Sequence, residues 1–102
     1  MGQNRERQRP GFSQSFSTML NQTLITEFGK RIRQLRTERK LSQEELSFQT
    51  GFHRTYIGMI ERGERNISLS NIGVFAKIFE MSVSELMAFG QEEITNKQRG
   101  DS

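Results

Sequence analysis

Cysteine is absent from the 102 residues, which excludes disulfides and thiolate metal sites. The single histidine, His53, leaves no material for most metal sites or catalytic triads. No apolar run approaches the roughly 18 to 20 residues that a bilayer crossing requires. Arg5, Arg7 and Arg9 near the start precede no apolar core, so they do not read as a secretory signal, and the cytoplasm is the expected compartment. There is neither an internal repeat nor a period-2 strand pattern. Catalytic chemistry is missing too. Glu44-Glu45 and Glu92-Glu93 are adjacent pairs, but neighbours on a helix point apart, and no nucleophile–base arrangement or phosphate loop accompanies them. The expectation is a chain that is not an enzyme and needs no cofactor or metal.

What is present is modest and unevenly spread. Apolar residues make up 32% of the chain, enough for one small core and not for two. A compact domain of roughly 65 residues with polar ends follows. Residues 1–22 carry three arginines against one glutamate, and residues 23–63 carry eight Lys/Arg against five Glu. The segments 64–90 and 91–102 are each slightly acidic. A basic half can attract phosphate, although a merely solvated surface would look the same.

Residues 1–22 are polar and hold the only proline, Pro10; they are expected to form a mobile basic arm, with Phe12, Phe16, Met19 and Leu20 offering at most a short amphipathic patch. From Thr23, Leu24, Phe28, Ile32 and Leu35 mark one face of a helix ending near Lys40, with cations on most other faces. Ser42 and Glu45 form a capping box for a second helix, which Gly51 stops. A third helix follows with Ile57 and Ile60 facing inward, and Gly63 ends it. Ser68 caps a fourth helix whose inward face is Leu69, Ile72, Phe75, Ala76 and Phe79. Ser82 and Glu85 box a short fifth with Val83, Leu86, Met87 and Phe89. The reading is all-α, with five helices over 23–90 and a polar tail over 91–102.

Residues 42 to 62 carry the most information. Two short helices meet at a tight turn, with small residues at Ser47 and Gly51 and apolar ones at Leu46, Phe52, Ile57 and Ile60. This is the spacing of a helix-turn-helix, whose second helix enters the DNA major groove. Leu41-Ser-Gln-Glu-Glu-Leu46, Arg54-Thr-Tyr-Ile57, Ile60-Glu-Arg-Gly63, Ser68-Leu69, Ala76 and Ser82-Val-Ser-Glu-Leu86 closely resemble the Xre/phage-repressor family of DNA-binding proteins, over about two thirds of the chain. His53-Arg-Thr-Tyr-Ile57 and Ile60-Glu-Arg-Gly-Glu-Arg-Asn66 look more particularly like the controller proteins of restriction–modification systems, while the 1–22 extension departs from their compact pattern. The resemblance implies a lambda-repressor-like fold and a transcriptional regulator. It would bind double-stranded DNA as a homodimer on a palindromic operator, with recognition helix 54–62 of each copy in successive major grooves.

Individual residues carry paired readings. Arg54, at the exposed start of helix three, can form a bidentate pair with guanine; the bland alternative is a phosphate contact or a surface charge. Thr55 can meet a base edge or merely satisfy the helix start. Met59 occupies a position that faces bases in phage repressors, where it could give apolar contact only, or else packs. Gln43 with the first N–H groups of helix two can hold a phosphate. His53 and Tyr56 are candidate phosphate contacts, against a capping role for the first and a core-packed ring for the second. Arg65 and Asn66 are expected to grip the sugar–phosphate backbone. Arg36 and Glu61 match an internal ion pair of the phage repressors. Val83, Met87 and Phe89 are the candidate dimer surface, set against simple closure of the core. Arg5, Arg7 and Arg9 read as a mobile tail or as an arm that follows DNA. The competing function is an antitoxin or protein-interaction module, with a protein partner held by the terminal tails and the helix-turn-helix serving autoregulation.

Overall fold

The computed structural model describes the backbone of residues 10–89 and the side chains from residue 18. The readings of Arg5, Arg7, Arg9 and the 91–102 tail lie outside the described residues. Five α-helices follow in order, with no strand among the described residues: α1 Pro10–Glu38, α2 Gln43–Thr50, α3 Arg54–Glu61, α4 Leu69–Ile78 and α5 Val83–Leu86. No helix among them is long and apolar enough to cross a membrane.

The core is built by one residue or more from every helix. Phe28, Ile32 and Leu35 of α1 meet Leu46 of α2, Ile57 and Ile60 of α3, Ile72, Phe75 and Ala76 of α4, Phe79 just after it, and Leu86 of α5. Phe75 is the hub: its ring lies 5.3 Å from Phe52 and 6.3 Å from both Phe28 and Phe79. Burying side chains of this size contributes about 1.5–3 kcal/mol each, which a small domain needs.

Three expectations change. The first helix begins at Pro10, not Thr23, so residues 10–22 continue α1 instead of forming a separate arm. Proline suits the first helical turn because its missing N–H has no partner there, and no later residue breaks the run. Leu24 is 47% exposed and Leu69 75% exposed, although both fall on the inward-facing row of their helices. Each lies one turn before the first buried residue of that row, Phe28 and Ile72, and so overhangs the end of the core. Periodicity identifies a face but not how far neighbouring helices extend along it.

Part of the basic surface of α1 and of the turn after it is used internally. Arg31 donates to the carbonyls of Leu86 and Glu85, pinning the end of α5. Arg39 donates to Leu35 and Phe79 carbonyls, with its guanidinium 4.9 Å above the Phe79 ring. These cations add donors to carbonyls at or just after the ends of α1, α4 and α5.

Candidate nucleic-acid interface

The turn between α2 and α3 is set by short-range hydrogen bonds. Gly51 takes φ of +82° and its N–H donates to the Ser47 carbonyl at 2.8 Å. The Ser47 hydroxyl donates to the Phe52 carbonyl at 2.7 Å, and the Phe52 N–H donates to Thr50 Oγ1 at 3.1 Å. Ser47 is thus more than a small residue at a crossing; it ties the turn shut. His53 is the N-cap of α3, its Nδ1 accepting from the Thr55 N–H at 3.0 Å. A ring nitrogen that accepts carries no proton, so Nε2 carries it and is left as a donor for a phosphate oxygen.

Beyond the cap, α3 divides into a buried and an exposed side. Ile57, Gly58 and Ile60 are buried, whereas Arg54 and Thr55 stand in water at its N-terminal end. The first turn of α3 holds no acidic residue. Arg54 takes part in none of the ion pairs among the described residues. Met59 is half-buried, which leaves it less to offer a base than either of them.

Gln43 opens α2, and its amide nitrogen donates to Glu61 Oε1 at 3.0 Å. That carboxylate also receives Arg36 from α1, with Nε at 2.6 Å from Oε2 and Nη2 at 3.0 Å from Oε1. Arg36 gives a further bond to the Leu41 carbonyl at 2.8 Å. The Arg36 side chain is 12% exposed and that of Glu61 4%, so solvent screens the pair little. Hydrogen bonding to Glu61 raises the Arg36 pKa. The cluster joins α1, α2 and α3 and fixes the Gln43 amide, whose second N–H remains for a phosphate. Glu44 and Glu45 in the first turn of α2 suit its dipole and make its start negatively charged.

Gly58 serves the same arrangement. A Cβ there would stand 3.2 Å from Arg62 Nη1 and 3.6 Å from Gln43 Oε1, so glycine leaves room for both side chains over α3. Arg62 in turn pairs with Glu64 through bonds of 2.9 and 3.2 Å, which raises the arginine pKa and lowers that of the carboxyl. Both groups are exposed.

Tyr56 and Arg65 come together at the other flank. The Tyr56 ring packs edge-on against Phe52 at 5.2 Å, and the Arg65 guanidinium lies 5.5 Å from its centroid. Asn71 of α4 donates to the Tyr56 hydroxyl at 2.9 Å. The phenol proton is not consumed by that bond, so packing and phosphate contact are compatible. Asn71 escaped the sequence reading, because a lone amide in the first turn of α4 carries no signal until the fold sets it beside Tyr56. Asn66 is exposed but lines an apolar groove with Leu24, Ile25, Phe28, Ile67, Ile72 and Met87, apart from the Tyr56 cluster. Of the candidate dimer residues, Met87 and Phe89 are partly buried against the core, with Phe89 6.3 Å from Phe28, and Val83 is the exposed one.

A helix-turn-helix family model matches residues 32–86. The control protein C.BamHI of Bacillus amyloliquefaciens is 44% identical over 63 residues, covering 61% of this chain and 78% of its own. The control protein C.SmaI of Serratia marcescens is 42% identical over 67 residues, covering 66% and 77%. Among solved structures, the restriction-modification controller protein C.AhdI from Aeromonas hydrophila matches with a TM-score of 0.58 at 47% identity, over 61% of this chain and 94% of that one. The controller protein C.Esp1396I, as a tetramer in complex with its natural 35 base-pair operator, matches with a TM-score of 0.57 at 30% identity, over 63% and 88%.

Proposed function

Because the chain belongs to the Xre-type helix-turn-helix family, we propose that it is a DNA-binding transcription regulator of the restriction–modification controller kind, acting as a homodimer on a two-fold operator. The observation that carries this reading is the two-sided character of α3. Its apolar side is buried against α1 and α2, while Arg54 and Thr55 project from its N-terminal end in water. In this reading Arg54 reads a guanine edge through two parallel N–H bonds, and Thr55 meets the adjacent base. Gln43, held by Glu61, and His53 through Nε2 place the helix on phosphates. Tyr56 and Arg65 do the same on the far flank, with the hydroxyl oriented by Asn71. The match to a controller protein in complex with its natural operator supports DNA as the ligand.

Arg54→Ala tests it in a competition assay between a selected site and random duplex at fixed salt. Loss of a bidentate pair should lower specific affinity by about 1–3 kcal/mol and leave random-sequence binding and thermal unfolding nearly unchanged. An equal loss on both DNAs would make Arg54 a phosphate contact, and no loss on either would remove it from the interface.

A further inference from the structure

We infer that the upstream half of α1 is a dimerisation arm, in which the exposed apolar row Met19, Leu20 and Leu24 packs against a second copy of the chain along the groove beside Leu24. This deepens the homodimer of the proposed function and rests on it.

The 29-residue α1 extends well beyond the core it serves. Its buried residues begin at Phe28, while upstream Met19 is 67% exposed, Leu20 49% and Leu24 47%. In that half Gln22 donates to Thr26 Oγ1 and to the Gly63 carbonyl, and these bonds tether its base. Residues 11–22 are mostly Ser, Thr, Gln, Asn and Gly with a few large apolar residues. Such a composition has weak helix propensity, and a projecting helix of this kind gains its stability from packing an apolar face. An apolar row left in water supplies none.

The row runs directly into a place to pack. Leu24, Ile25, Phe28, Ile67, Ile72 and Met87 line a groove of ≈ 170 Å³. The upstream turns of the molecule's own α1 do not fold back over it, because a helix rises 1.5 Å per residue and a position a dozen residues before Leu24 lies roughly 18 Å away along the same rod. Charge selects the occupant. From Pro10 to Thr26 there is no charged residue, whereas Glu27 opens a densely charged stretch that includes Lys30, Arg31, Arg33 and Arg36. A two-fold contact sets a patch against its own copy, so a charged patch would repel itself, and an uncharged one does not. The same lack of charge offers an acidic or basic partner nothing to hold.

Sedimentation equilibrium of the full chain and of the triple variant Met19→Gln, Leu20→Gln, Leu24→Gln decides the matter, with Phe48→Gln, exposed on α2, as the control. All four residues are exposed, so the core should survive, and thermal unfolding of the variants verifies this. The arm predicts a dimer for the unaltered chain, dissociation at least about tenfold weaker in affinity for the triple variant, and little change for the control. It also predicts a fall in helical circular dichroism as the triple variant loses its ordered arm. A dimer equally tight in the triple variant overturns the arm and leaves the homodimer standing. An unaltered chain that is monomeric at every concentration, free and on DNA, overturns the homodimer and the arm with it.

Discussion

Gly29 stands where α1 crosses the end of α3, and a Cβ there would lie 2.2 Å from the Ile60 carbonyl oxygen and 3.0 Å from that of Glu61. Backbone cannot yield as a side chain can, so Gly29→Ala should force the two helices apart at a cost of about 1–3 kcal/mol or more, read by urea or thermal unfolding. Gly73 in α4 is the internal control. Nothing lies within 4 Å of its Cβ position, and Gly73→Ala should stabilise by about 0.5–1 kcal/mol. The Arg36–Glu61 pair makes a second prediction at this scale. Glu61→Ala leaves a nearly buried guanidinium and the Gln43 amide without their acceptor, and should destabilise by about 3–5 kcal/mol. Replacing both charged partners with apolar residues should cost much less than the two single changes combined, because no uncompensated charge remains. That pair was visible in the sequence by resemblance. Its third member was not, since Gln43 is far from Glu61 along the chain and was read for DNA alone.

The helices were legible where their ends are chemically marked. Ser42 with Glu45 and Ser82 with Glu85 form complete capping boxes, and Ser68 caps α4 through the Asn71 N–H. Gly51 and Gly63 sit at positive φ as terminators. Two other helix ends lack such a mark. Lys40 at φ +58° and Glu80 at φ +60° occupy the left-handed position after α1 and α4, and the following N–H groups of Leu41 and Met81 reach back to the Arg36 and Ala76 carbonyls. A side chain in that conformation costs roughly 1–2 kcal/mol, offset in part by the extra freedom glycine brings to the unfolded chain. Lys40→Gly and Glu80→Gly should each therefore raise stability by several tenths to about 1 kcal/mol in thermal unfolding, with DNA binding unaffected. The start of α1 was missed for a related reason. Polar residues such as Ser13, Gln14 and Asn21 favour neither state strongly, and tertiary context decides them.

At the scale of the whole molecule, the distribution of charge limits what the surface can hold. Much of the positive charge that looked available for DNA is spent inside the fold, where Arg31, Arg36 and Arg39 brace helix ends and the core. Under the proposed function the contacts around α3 come from Arg54, Arg65 and neutral donors, and the formal net charge of +3 is a poor guide to them. Neutral donors release no counterions, so log–log salt plots should show a shallow slope of about −0.9 per phosphate neutralised, summed over few contacts for each subunit. The apolar residues just after α5 show the other limit of sequence reading: Met87 and Phe89 pack against the core, so their apolar character does not by itself mark a dimer face. Selection of bound sites from random duplex DNA, followed by sequencing, addresses the central claim most directly. A two-fold regulator reading with α3 should enrich an inverted repeat whose half-sites are centred about 10 base pairs apart, one helical turn. A single unrepeated site, or no enrichment over the starting pool, would contradict it.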